Sequence, residues 1–244
     1  MARSPQEVQQ QIEGLLPFMT TPFAADGEVD IPCFREHLGY LLQAFEDRPS
    51  CFFVCCGTGE FWSLSLNEYR DLVRAAVAEV GAEVPIVAGV GYGTPLALEF
   101  ARAATEAGVD ALLVFPPYLA SGPQEGLYEH YATIAAATPL GIMVYHRDNA
   151  VFQPSTVARL VENHPNVIGL KDGYGDLDVL AEIRRLIGDH FLLMNGMPTA
   201  EVYAKAIPRR ASAPTLPVAS SFCPNWPGPW IMLWSAWMNP RSIA

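Results

Sequence analysis

Among the 244 residues there are only two lysines, Lys171 and Lys205, against thirteen arginines. Lys171 stands out because it closes the apolar run NVIGLK. An amine with an ordinary pKa near ~10.4 becomes a usable nucleophile when apolar neighbours desolvate it, which an arginine cannot imitate. Such an amine attacks a ketone to form an imine. The alternative is a salt bridge from Lys171 to its neighbour Asp172. Tyr145 closes the preceding run, GIMVY, and its phenol is suited to relay the proton that a departing carbinolamine hydroxyl needs; a tyrosine that simply caps the core is the competing reading. Gly57, Thr58, Gly59 and Glu60 end an earlier run, where small residues expose backbone N–H groups and one hydroxyl to an anion such as a substrate carboxylate. His146, Arg147, Asp148 and Asn149 follow Tyr145. Arg147 is the natural partner for the far carboxylate of a diacid, unless the segment is a solvated loop.

These candidates share a position: each sits where an apolar run turns polar. Seven such runs recur, GLLPFMTTPF, CFFVCCGTG, VPIVAGVGYG, DALLVFPPY, LGIMVYHRDN, NVIGLKDGYG and HFLLMNGM. Helical patterns lie between them, among them LNEYRDLVRAAVAEVG, PLALEFARAATEAG and PSTVARLVENHP. Continuous apolar strands alternating with helices suit a parallel sheet covered on both faces. Seven units predict an α/β fold of the (β/α)8 TIM-barrel type, incomplete after the seventh strand, with its chemistry at the C-terminal ends of the strands. A doubly wound sheet with GVGYGT as a nucleotide turn is the rival. That motif lacks a correctly spaced third glycine, lies on the third run, and has no following acid at the ribose position.

Composition narrows the partners. A formal charge of −11 argues against nucleic acid and anionic membrane, both of which need a basic footprint, and leaves a small molecule. The polar start, MARSPQEVQQQIEG, lacks the apolar core of a signal peptide, so a cytoplasmic location is expected. Cys33, Cys51, Cys55, Cys56 and Cys223 are odd in number and read as packing residues; neither paired CxxC nor spaced histidines accompany them, and no metal site is expected. His37, His130, His164 and His190 share no spacing and receive no role.

Taken together, PFMTTPF, CGTGEFWSL, VFPPYL, VYHRDNAVF, GLKDGYGDL and NGMPTAE, in this order, make the chain resemble the dihydrodipicolinate synthase and N-acetylneuraminate lyase superfamily over roughly residues 14 to 207. Gly57-Thr58 and Tyr145-His146 replace that superfamily's usual pairs, and resemble its 5-dehydro-4-deoxyglucarate dehydratase branch. The resemblance implies an imine on Lys171, a proton shuttle at Tyr145 and a carboxylate held by Gly57, Thr58 and Gly59. It implies that Gly196 brings backbone close to the substrate and that Tyr118 reaches into a neighbouring subunit of a homo-oligomer. It further implies a keto-acid substrate, decarboxylating dehydration and no added cofactor.

Residues 1–207 are therefore expected to be the barrel domain and 208–244 to be something else. The final segment holds seven prolines, four of the five tryptophans, no lysine and none of the 26 acids. Its peptide PNWPGPW can be encoded so that a shifted frame reads Glu-Leu-Ala-Arg-Ala-Leu, an amphipathic helix. A frame shift near residue 208 is the expectation, and with it the loss of the eighth unit, two exposed strand edges, aggregation and low activity.

Overall fold

A computed structural model describes residues 3–13, 16–44, 50–117, 121–147 and 149–196. The second to seventh apolar runs become β1 (Phe52–Val54), β2 (Ile86–Val90), β3 (Ala111–Val114), β4 (Gly141–His146), β5 (Val167–Asp172) and β6 (Leu192–Asn195). Each strand is buried along its whole length, because helices cover one face and the lumen the other. All five pairings are parallel, and the sheet order follows the chain, β1-β2-β3-β4-β5-β6. That order has no switch point, so the doubly wound alternative is excluded and the barrel order stands.

The first run joins this sheet by a single rung. Phe18 bridges Phe53 in parallel; the Met19 N–H donates to the Phe53 carbonyl and the Phe53 N–H to that of Pro17. Pro17 has no N–H of its own to extend the ladder, which is why a full strand does not form. The described residues thus supply seven parallel segments, and residues 197–244, including the tail, lie outside them.

Six crossover helices separate these segments: α2 (Ile31–Ala44), α3 (Leu66–Val80), α4 (Thr94–Ala107), α5 (Gln124–Ala136), α6 (Pro154–Asn163) and α7 (Leu177–Ile187). Their starts follow local chemistry. Ser65 and Glu68 form a reciprocal capping box on α3, prolines open α4 and α6, and the Asp176 carboxylate accepts from the N–H groups of Asp178 and Val179 at α7.

A further helix, α1 (Pro5–Gln11), precedes the barrel and is capped by the same device, Ser4 with Glu7. It crosses the end opposite the predicted chemistry. Gln6 Nε2 donates to the Pro165 carbonyl at 3.1 Å and Gln9 Nε2 to that of Ile168 at 2.6 Å. Arg3 Nη1 meets Asp110 Oδ1 at 3.1 Å, while Asp110 Oδ2 accepts the Ile86 N–H at 2.9 Å. One carboxylate therefore ties α1 to the starts of two neighbouring strands. Asp110→Ala removes both bonds and leaves the Ile86 N–H to find water. We expect a loss of about 1–3 kcal/mol in urea unfolding, with the reactivity of Lys171 unchanged; an unaltered midpoint would show that α1 is not anchored there.

Candidate active site

Lys171 is the next-to-last residue of β5 and is only 6% exposed. Its Nζ lies 3.8 Å from the centroid of the Phe18 ring and 4.6 Å from that of Tyr145. Phe18 belongs to the first segment and Lys171 to β5, so this contact spans the lumen and shows how far the sheet has curled. Asp172 does not neutralise the amine. Adjacent strand residues face opposite sides, and the Asp172 carboxylate instead accepts from the N–H groups of Tyr174 (3.0 Å) and Gly175 (3.1 Å). Among the described residues no carboxylate forms an ion pair with Lys171.

A buried cation without a counter-ion gives up its proton easily. Burial pulls the Lys171 ammonium down from 10.5 to about 8, and the Arg147 guanidinium adds to it. Burial also pushes the Cys56 thiol up to about 12, so it stays neutral beside the amine.

Because the folded value lies below the unfolded one, folding must carry an unfavourable ammonium at any pH below about 8. That cost fades as pH rises and is gone above the ordinary lysine range. At 1.36 kcal/mol per pH unit it amounts to about 3 kcal/mol. Lys171→Met, of similar volume, is expected to be more stable than the parent chain by about 2–3 kcal/mol at pH 7. The gap should close between pH 8 and 10.5. Urea unfolding across this range reads both, and equal stability at pH 7 would mean that the amine is not desolvated.

Tyr145 stands directly across from Lys171 in the β4–β5 register and is 4% exposed. Its phenol oxygen accepts from Arg147 Nη1 at 3.1 Å, and its ring packs 5.7 Å from Phe115. The structure thus brings Lys171, Tyr145 and Arg147 into one cluster. Gly196, just beyond β6, completes it. The Gly196 N–H donates to the Asp172 carbonyl at 2.6 Å, and a Cβ there would come within 2.5 Å of Lys171 Cε and 2.8 Å of its Cγ. Only a glycine leaves room for the lysine stem.

The turn after β1 is tied to the same cluster through Phe18. Thr58 Oγ1 donates to the Phe18 carbonyl at 3.4 Å, and Thr21 Oγ1 donates to the Gly59 carbonyl at 2.7 Å. Cys55 (φ 49°) and Glu60 (φ 54°) bracket the turn in the left-handed region, folding the backbone back on itself. Among the described residues no protein acceptor takes the N–H groups of Gly57, Thr58 and Gly59. Their N–H groups are open to an acceptor from outside the described residues.

The other candidates separate. Asn149 Nδ2 donates to the Pro117 carbonyl at 2.6 Å, bracing the loop after β3. His146 lies on the far side of β4 with both ring nitrogens unpartnered, near the rings of Phe152 and Tyr174. Burial lowers its pKa against the pull of Asp172 and Asp176, so the ring is neutral. Tyr118 and Asp148 lie outside the described residues, as does Cys223; Cys33, Cys51, Cys55 and Cys56 are free thiols. Phe18 and Cys56, both against the amine, carry no signal in the sequence beyond their apolar runs. Among the described residues no group of His, Cys, Asp and Glu could hold a metal, and no helix is long and apolar enough to cross a membrane.

A parallel α/β barrel with a desolvated lysine and a tyrosine at the C-terminal mouth defines a class of protein suited to imine chemistry. The chain belongs to the Dihydrodipicolinate synthetase family, whose sequence profile matches residues 11–210. It is 50% identical over 200 residues to a probable 5-dehydro-4-deoxyglucarate dehydratase of Streptomyces griseus subsp. griseus, covering 80% of this chain and 61% of that one. It is 45% identical over 201 residues to a protein of the same description from Saccharopolyspora erythraea, covering 82% and 64%. The chain thus spans about three fifths of the length of the curated relatives it matches. Among solved structures, a dihydrodipicolinate synthase of Bacillus anthracis superposes with a TM-score of 0.77 at 28% identity, over 86% of this chain and 72% of the other.

Proposed function

We propose that the chain is a decarboxylating dehydratase that converts 5-dehydro-4-deoxyglucarate to 2,5-dioxopentanoate, CO2 and water through an imine on Lys171. The observation that carries this reading is the desolvated amine of Lys171, in no ion pair among the described residues, with the Tyr145 phenol beside it. The names of the curated relatives support the choice of substrate. The Gly57–Gly59 turn would hold the carboxylate next to the ketone, and Arg147 and Asn149 are the candidates for the distal one.

The chemistry needs only the electron sink. Neutral Lys171 adds to the ketone, and Tyr145 gives a proton to the carbinolamine hydroxyl, which leaves as water. The iminium acidifies the neighbouring CH2, and the enamine formed by its deprotonation expels the adjacent hydroxyl as a second water. The distal carboxylate is then on a carbon conjugated to the iminium, so CO2 leaves into the same sink. The resulting enol becomes the aldehyde, and hydrolysis, which takes up one water, returns Lys171.

We read the working form as a cytoplasmic homo-oligomer of sugar-diacid catabolism, with Tyr118 at the subunit contact. We also read residues 208–244 as lying outside the barrel domain, which is supported by the family match stopping at residue 210.

Product analysis tests the reaction. CO2 and 2,5-dioxopentanoate should appear in equal amounts, Lys171→Met should abolish both, and Tyr145→Phe should slow turnover about 100-fold or more. Cleavage into a 2-keto acid and an aldehyde without CO2 would overturn the dehydratase in favour of a retro-aldolase.

A further inference from the structure

The guanidinium of Arg147 does more than approach Tyr145. Nη1 donates to the phenol oxygen at 3.1 Å while the guanidinium carbon sits 5.3 Å from the ring centroid, so the same group fixes both the oxygen and the plane of the tyrosine. The backbone holds it in place. Arg147 follows β4 directly and pairs with Ala150 in a short antiparallel bridge, the Ala150 N–H donating to the Arg147 carbonyl at 2.8 Å. Gly173, on the neighbouring strand's loop, donates its N–H to the His146 carbonyl at 2.7 Å. A Cβ on Gly173 would come within 2.9 Å of Tyr145 Cε2 and 3.0 Å of Arg147 Cβ. The missing side chain is what lets the two residues lie side by side.

A phenol can accept and donate at once. Accepting from Arg147 occupies a lone pair of the oxygen and leaves the phenol's capacity to donate a proton intact. Once that proton has gone to the carbinolamine, a phenolate remains, and a guanidinium hydrogen bond to an anion is stronger than one to a neutral oxygen. Lys171 is unable to serve in its place, since Nζ lies over the face of the ring and is itself consumed in the imine.

We propose that Arg147 is a positioning residue for Tyr145, aiming its hydroxyl at the carbinolamine on Lys171 and stabilising the phenolate left behind. This role is additional to any contact of Arg147 with a distal carboxylate, and it rests on the Schiff-base reading above.

Pyruvate separates the two roles, because it has a ketone and one carboxylate but no distal acid. The full chain is incubated with pyruvate and borohydride, and the rate of adduct formation on Lys171 is followed by peptide mass spectrometry. Arg147→Met is expected to slow trapping about 10-fold, the scale of losing a hydrogen bond to a charged group. Arg147→Lys, which keeps the cation, should recover part of that loss. In a Tyr145→Phe background, with each rate divided by the neutral fraction of Lys171 read from that variant's own pH profile so that the pull of Arg147 on the lysine proton drops out, Arg147→Met should add almost nothing, since the group it serves is gone. Trapping by Arg147→Met at the parent rate, or losses that multiply in the double variant, would overturn the positioning role while leaving the imine intact. Absence of any adduct on the parent chain would overturn the imine itself, and the positioning role with it.

Discussion

The withdrawal of one ammonium group from water governs this structure. Lys171 sits at the end of a strand buried from Val167 to Asp172, under the Phe18 ring from across the lumen and against the Tyr145 ring from the adjacent strand. No carboxylate relieves it among the described residues, so the cost of burial is expressed as a lowered affinity for the proton. The parts that serve this arrangement are distributed along the chain. The single rung at Phe18 brings an aromatic face over the amine, Gly196 makes room for the lysine stem, and Asp172 turns away to bind the loop at Tyr174 and Gly175.

The β4–β5 pair divides labour by face. Tyr145 and Lys171, opposite each other in register, point into the lumen, where the proposed imine chemistry would take place. One residue further along, His146 and Asp172 are paired in the same register but face the other way. There Asp172 orders the loop leading to α7, and a neutral His146 fills space between Phe152 and Tyr174. A one-residue slip in this pair would exchange the two faces.

Much of this was legible before the structure. The apolar runs marked β1 to β6 because strands covered on both faces leave no alternation to obscure them, and Lys171 and Tyr145 were visible as the polar ends of such runs. Other features needed three dimensions. The first run has strand composition but forms one rung, since Pro17 cannot donate to a ladder. α1 has capping-box spacing at Ser4 and Glu7, but its short polar stretch offers little apolar period to mark a helix. A partner of Arg147 lies two residues away on the same chain, yet nothing in the sequence says whether a guanidinium points to a phenol or to solvent. Phe18 acts from across the lumen and Gly196 from the end of the adjacent strand, contacts that no local pattern encodes.

The proposed reaction depends on the neutral amine of Lys171, and the pH dependence of its reaction with a ketone measures that amine most directly. Reductive trapping of pyruvate with cyanoborohydride, quantified by mass spectrometry of the peptides bearing Lys171 and Lys205, reports which lysine reacts and at what pH. Adduct is expected on Lys171 alone, with a rate that rises to a plateau around a midpoint near pH 8. Adduct shared between the two lysines, or a midpoint near the ordinary lysine value of ~10.4, would contradict it.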